Sequence, residues 1–248
     1  MRRPLMAGNW KMYKTIRETE QFLEEFIPLV ARANHCDVAI APPFTALAAA
    51  ARIARNSRVA IAAQDIYHEK EGAFTGQVAP EMLVEAGCRY AIIGHSERRQ
   101  YFGETDESVQ KKTRAALGAG LEPIACVGEN LAEREAGQME AVLRRQFTQG
   151  LGGLTAGEFA RIIVAYEPRW AIGTGRTASP ETAAEAHRLL RSLATERFGQ
   201  GGAALRILYG GSVKPDNVRG LMAQPDIDGT LVGGASLDPK SFAAIVDF

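Results

Sequence analysis

The sequence predicts one closed, parallel (β/α)8 barrel domain over residues 1–248, and three observations predict it. Eight short apolar runs alternate with longer helical patterns from end to end. The runs are nearly continuous in apolar residues rather than alternating, as parallel strands covered on both faces require. The length of 248 residues suits such a barrel, which takes roughly 250 residues. Eight alternations also permit an open doubly wound sheet. Length favours closure, and no Ser-, Gly- or Pro-rich linker or shift in composition divides the chain.

Taken in order, the expected strands are Leu5–Gly8, Val38–Ala41, Val59–Ala63, Tyr90–Ile93, Pro123–Val127, Ile162–Tyr166, Ile207–Tyr209 and Thr230–Val232. Helical patterns fill the intervals at Thr15–Ala33, Thr45–Ala54, Asp106–Ala119, Met139–Gly150, Pro180–Phe198 and Pro239–Val246. Pro28 is expected to kink or interrupt the first helix, because proline lacks the backbone N–H and its ring crowds the preceding turn. Ser179-Pro180-Glu181-Thr182 reads as a helix start, with a capping hydroxyl followed by proline at the first helical position.

Lys plus Arg and Asp plus Glu both number 29, so the net charge is zero. A nucleic-acid binder normally carries a clustered basic excess, and here the basic residues are scattered. No apolar run approaches the roughly 20 residues that span a bilayer. The start, Met1-Arg2-Arg3-Pro4, lacks the long apolar region of a secretory signal, which makes the cytoplasm the expected location. Cys36, Cys88 and Cys126 are odd in number and have no metal-type spacing. They read as free, buried thiols in a reducing compartment.

The polar residues carry the chemistry. Asn9 and Lys11 follow the first strand, Gln64 ends the third, and His95, Ser96 and Glu97 follow the fourth. Glu167 ends the sixth, Gly210-Gly211-Ser212 the seventh, and Gly233-Gly234 the eighth. In a parallel barrel all strand C-terminal ends meet at one mouth, so these distant residues are expected to converge there. Glycine-rich turns there can cradle an anion through backbone N–H groups without a cluster of cations. His35, His68 and His187 have no comparable setting.

Several long motifs agree in order along nearly all of the chain. They are Asn9-Trp10-Lys11-Met12, Gly72-Ala73-Phe74-Thr75-Gly76, Ile93-Gly94-His95-Ser96-Glu97-Arg98-Arg99, Ala165-Tyr166-Glu167-Pro168-Arg169-Trp170-Ala171-Ile172-Gly173-Thr174-Gly175, Tyr209-Gly210-Gly211-Ser212-Val213 and Leu231-Val232-Gly233-Gly234-Ala235-Ser236. Together they resemble the triosephosphate isomerase family. The resemblance implies a TIM barrel that interconverts dihydroxyacetone phosphate and D-glyceraldehyde 3-phosphate through an enediolate, with neither metal nor cofactor.

On the matching positions, the resemblance implies Glu167 as the base and neutral His95 as the electrophile and proton shuttle. Lys11 would balance charge on the substrate oxygen, Asn9 would orient it, and Glu97 would contact the Lys11–His95 network. Ser96 would support the base, and Gly173, Ser212, Gly233 and Gly234 would bind substrate through its phosphate. It further implies a homodimer, in which the long Asp65–Thr75 connection enters a pocket of the partner subunit and Thr75 reaches the partner's Asn9–Lys11 region.

Gly173, Gly175 and Ala178 also satisfy the G-x-G-x-x-G/A pattern of dinucleotide-binding folds, which belongs in the turn directly after its strand. Here Glu167 to Ile172 intervene, so the segment reads instead as a lid between the hinges Pro168-Arg169-Trp170 and Arg176-Thr177-Ala178. Three positions depart from the usual family pattern: Arg169, Arg176 and Asp65. They bear on loop motion and the packing of the third loop.

Three other readings remain open. A phosphate-binding aldolase would form a Schiff base through Lys11, which borohydride would trap with substrate. A metal-dependent epimerase would need a His/Asp/Glu set at ligand spacing. A phosphosugar-binding scaffold without turnover is possible on any fold, and a coupled isomerase assay separates it.

Overall fold

A computed structural model of the chain describes residues 2–171 and 178–248. The strands are β1 Leu5–Asn9, β2 Asp37–Ala41, β3 Val59–Ala63, β4 Cys88–Ile93, β5 Glu122–Val127, β6 Ile163–Tyr166, β7 Arg206–Tyr209 and β8 Gly229–Val232. Each pairs in parallel with the next, and β8 returns to β1 to close the barrel. The sequence reading of all eight falls within two residues of these bounds.

The helices Asp106–Ala119, Met139–Gly150, Pro180–Phe198 and Pro239–Val246 lie where the pattern puts them. The second expected helix begins as a tighter turn, Phe44–Ala46, before Leu47–Ala54. The first, Ile16–Val30, runs through Pro28, so the interruption expected there does not occur. Pro28 lies in the last turn, where its ring leaves the Glu24 carbonyl without its ladder donor while the helix continues to Val30. The other end is fixed by a reciprocal cap: Thr15 Oγ1 accepts the Glu18 N–H, and the Glu18 carboxylate accepts the Thr15 N–H. Such a cap contributes about 1 kcal/mol.

Side chains of a strand alternate in direction, and this alternation builds both the core and the rim. Leu5, Ala7, Ala39, Ala41, Ala62, Tyr90, Ile92, Ile124, Cys126, Ile163, Ala165, Leu208 and Leu231 fill the barrel interior. Alanines make up the contribution of β2 and β3, and bulkier residues such as Tyr90, Ile92, Ile124 and Leu208 come from β4, β5 and β7. Met6, Phe22, Phe26, Tyr166 and Phe242 belong to the second layer, between strands and helices. Continued two residues beyond the interior layer, the inward series Leu5-Ala7, Ala60-Ala62, Ile163-Ala165 and Leu231 reaches Asn9, Gln64, Glu167 and Gly233.

At the opposite end the strand starts are tied by ion pairs. Arg3 meets Asp37 at 2.6 Å, Arg206 bridges Asp37 at 3.0 Å and Glu122 at 3.1 Å, and Arg89 meets Glu122 at 2.8 Å. Arg191 clamps Asp226 and Asp228 at 2.6 and 2.7 Å. Asp65, a departure from the family pattern, is buried and neutralised by Lys112 at 2.7 Å and Arg98 at 2.8 Å. All three cysteines are buried thiols without disulfides. Burial pushes Cys36 up to about 11 and Cys88 up to about 12, far from the thiolate form that reacts. Among the described residues, no helix is long and apolar enough to cross a membrane.

His187, on the helix Pro180–Phe198, is fully buried, with Nδ1 3.0 Å from the Asp226 carbonyl. That carbonyl can only accept, so Nδ1 carries the proton, while Nε2 has no partner among the described residues. Burial holds this ring down at about 4, against an ordinary 6.5. Between those values the unfolded chain binds a proton that the folded chain refuses, so stability falls as pH drops through this window. The expected slope from this group is about 1.4 kcal/mol per pH unit at most. Urea unfolding of the wild-type chain and of His187→Gln at several pH values from 6.5 to 4 checks it: the variant should lose up to one proton's worth of pH dependence.

Candidate active site

A cleft of about 300 Å³ opens at the C-terminal ends of the strands. Asn9, Lys11, His95, Glu167, Gly210, Gly211, Ser212, Gly233 and Gly234 line it. Gly173 and Arg176, with the lid tip expected around them, lie outside the described residues.

The loop after β1 is held from several directions. Lys11 has a positive φ of 55°, a conformation that costs a non-glycine residue on the order of 1 kcal/mol and persists only where its surroundings impose it. Here the Lys11 N–H donates to Asn9 Oδ1 at 3.0 Å, and its carbonyl accepts Gln64 Nε2 at 2.8 Å. Gln64 donates equally to the Ala41 carbonyl at 2.8 Å, which ties three strand ends together. Trp10 is buried between them, with its indole N–H donating to the Ser236 carbonyl at 3.0 Å. So placed, the Lys11 ammonium pairs with Glu97 Oε1 at 2.7 Å.

His95 caps the short helix Ser96–Tyr101, and its Nδ1 accepts the Glu97 N–H at 3.2 Å. That acceptor role puts the ring proton on Nε2, which lies 2.8 Å from Glu167 Oε1. The other oxygen, Glu167 Oε2, accepts the Ser96 N–H at 2.8 Å. Arg99 anchors the turn beneath, donating to the Gly94 carbonyl at 2.8 Å and pairing with Asp106 at 2.6 Å.

The two buried partners shift each other. Burial is the largest influence on Glu167 and pushes its carboxyl up. His95 and the Ser96 N–H outweigh it and hold the group below the ordinary carboxylate value. Burial pushes His95 down, and the facing Glu167 carboxylate, with Glu97 further off, brings it above its ordinary value. The Glu97 N–H on Nδ1 acts against a second ring proton and so opposes the pull of the two carboxylates. With Nδ1 occupied as an acceptor, the 2.8 Å contact is read as a neutral Nε2–H donating to a carboxylate.

Glu167 also depends on a residue the sequence reading did not single out. A Cβ at Gly128 would overlap the Glu167 carbonyl, so only glycine lets β5 and β6 approach at that point. Next to it, Glu129 is completely buried and accepts from Tyr166 Oη at 3.0 Å and Trp170 Nε1 at 2.9 Å. Its carbonyl accepts the Arg169 N–H at 3.1 Å. Glu129 thereby fixes the segment Pro168–Trp170 that the sequence marks as a hinge. The signal was available, since Gly128 and Glu129 follow β5 as the other polar residues follow their strands. Arg169 is half-buried and its guanidinium reaches Gln100 at 3.3 Å.

The far side of the cleft is backbone. Ser212, Gly233 and Gly234 stand at the ends of β7 and β8, and none of the hydrogen bonds among the described residues uses their N–H groups. The Gly233 turn is fixed by Ser236, whose N–H and hydroxyl both donate to the Gly233 carbonyl, at 2.8 and 2.7 Å. Chemically, the cleft offers a buried carboxylate, an imidazole N–H, an ammonium and free backbone donors around one space. Among the described residues, no three His, Cys, Asp or Glu side chains stand together as metal ligands.

Comparison with known proteins places this arrangement. The family described as triosephosphate isomerase matches residues 4–248. A triosephosphate isomerase of Solibacter usitatus is 60% identical over 249 aligned positions, covering 100% of both chains. One of Geobacter metallireducens is 55% identical over 100% of this chain and 99% of its own. Among solved structures, the triosephosphate isomerase of Bartonella henselae superposes with a TM-score of 0.90 at 38% identity, over 99% of this chain and 98% of that one.

Gly128→Ala tests the packing beneath Glu167. The added methyl has to displace the β6 end, so the melting temperature should fall by several degrees, and the His95 ring nitrogen signals should move with the displaced carboxylate. Thermal unfolding and nitrogen NMR of the ring read both. An unshifted His95 ring in the folded variant would show that Gly128 does not position the pair.

Proposed function

This chain belongs to the triosephosphate isomerase family, and from that premise we propose how its cleft interconverts dihydroxyacetone phosphate and D-glyceraldehyde 3-phosphate. The observation that carries the reading is the contact of Glu167 with His95 Nε2, with the Lys11 ammonium lining the same cleft. Substrate enters by parting the pair. Glu167 then removes the C–H proton next to the carbonyl, while His95 Nε2–H and Lys11 hold the oxygen on which negative charge gathers. Glu167 returns the proton to the neighbouring carbon, and His95 moves the hydroxyl proton between the two oxygens.

The same geometry explains why the base strengthens when it is needed. Unliganded, Glu167 is held low by two donors, His95 and the Ser96 N–H. When substrate takes His95 and the carboxylate leaves Ser96, burial remains and the donors do not, so its proton affinity rises. Asn9 acts on Lys11 through its backbone, and Glu97 orients the ammonium. The N–H groups of Ser212, Gly233 and Gly234 receive the phosphate. The Lys11–Glu97 pair at 2.7 Å engages Lys11 as an ammonium, which disfavours the imine route of an aldolase.

We further propose a cytoplasmic homodimer. Met12 is 93% exposed, and Tyr101 and Phe102 are each 69% exposed, an apolar concentration that a partner would cover. Met12, Phe44 and Phe102 border a second cleft, of about 210 Å³, which reaches Asn9, Lys11 and Glu97. In the Asp65–Thr75 loop, Phe74 stacks obliquely on Tyr67 at 4.7 Å and stays 41% exposed, which supports a role at an interface. A partner's loop tip in this cleft would bury both apolar surfaces and brace Lys11. Three buried, unpaired thiols accord with a reducing compartment.

Glu167→Gln should reduce turnover by roughly 10²–10⁴-fold in a coupled isomerase assay while inorganic phosphate still binds; near-wild-type turnover would overturn the assignment of the base. His95→Gln should slow turnover too, with the exchange of substrate label with solvent altered. A Phe74→Asp, Thr75→Asp double variant should run as a monomer in light scattering and lose most of its turnover. A fully active monomer would separate assembly from activity.

A further inference from the structure

Two lysines line the cleft, and among the described residues only Lys11 has an ion-pair partner. The other is Lys214, two residues after Ser212. Its backbone is fixed: the N–H donates to Asn217 Oδ1 at 2.8 Å, and the carbonyl accepts the N–H groups of Asn217 and Val218 at 3.2 and 3.1 Å. Asn217 also donates to the Ser212 carbonyl at 3.0 Å, so one side chain ties Lys214 to the turn that bears Ser212. The Lys214 side chain is exposed, and its ammonium makes no hydrogen bond or ion pair among the described residues.

An exposed lysine is ordinarily a solvated surface charge. Charge balance sets this one apart. Glu167 brings one carboxylate to the cleft, and Lys11, which lines it too, is already paired with Glu97. Without Lys214 the charges lining the cleft only cancel, yet a phosphate monoester near neutral pH carries close to two negative charges. The backbone donors of Ser212, Gly233 and Gly234 act only at contact distance, whereas a free ammonium acts across the mouth.

We propose that Lys214 is the cation that draws a phosphate-bearing substrate into this cleft and favours its docking on the Ser212–Gly234 side, leaving Lys11 to the reacting oxygen. The inference rests on the triose phosphate reading for its substrate, but not for its charge. Lys214 touches no reacting atom in this scheme, so its effect belongs to capture rather than to proton transfer.

The test compares the wild-type chain with Lys214→Gln, Lys214→Glu and Lys214→Arg across ionic strength, with circular dichroism confirming that each is folded. At about 10 mM ionic strength, Lys214→Gln should lower kcat/KM roughly fivefold, as removal of a unit charge some 8 Å from a dianion in water implies. Lys214→Glu should lower it roughly 25-fold, and Lys214→Arg should restore most of it. The differences should shrink towards about 0.5 M salt, where screening acts within a few ångströms, and kcat should change much less than kcat/KM. Titration with inorganic phosphate should follow the same order and does not depend on turnover. Equal salt dependence and equal phosphate affinity in all four chains would overturn the role of Lys214. A folded wild-type chain that binds phosphate through Lys214 yet lacks isomerase activity would overturn the proposed reaction and leave Lys214 standing.

Discussion

The rim of this barrel depends on one pairing, β8 against β1. Leu5 stands opposite Gly229 and Gly8 opposite Val232, joining segments from the two ends of the chain. The approach is close: Gly229 has a φ of 130°, and a Cβ there would overlap the Leu5 carbonyl. Once the seam is shut, Asn9 and Lys11 share a wall with Gly233 and Gly234, and the indole of Trp10 can reach Ser236. An open sheet with the same eight strands would have left the ammonium and the glycine turns on opposite edges.

Closure also separates two kinds of electrostatics. At the strand starts, arginines and carboxylates answer one another in direct pairs, and the charges serve the framework. At the strand ends, Glu167 is buried against two donors, His95 and the Ser96 N–H. Its burial and its hydrogen bonds oppose each other. A surface carboxylate would lack the first influence, and an apolar pocket would lack the second.

Much of this was legible in the sequence because two periodicities coincide there. Continuous apolar runs mark parallel strands, and polar residues just past them mark the rim; Asn9, His95 and Glu167 all follow that rule. Other features depend on distances no linear pattern contains. Gly128 reads as an ordinary turn glycine until β6 is seen against it. Gln64 ends its strand like any polar residue, and only the fold shows it bridging Lys11 and Ala41. Short helices such as Ser96–Tyr101 span too few turns for a period to emerge, and Pro28 is tolerated because its helix is already near its end. Asp65, a departure from the family pattern, is answered by Lys112 and Arg98, which sequence separation hides.

The left-handed backbone of Lys11 makes the loop after β1 dependent on distant parts of the chain. Its conformation is borrowed from Gln64, and its neighbour Trp10 is pinned by Ser236. The loop after β1 thus takes its shape from partners 53 and 226 residues further along the chain. No local stretch of sequence specifies this loop; the closed barrel does.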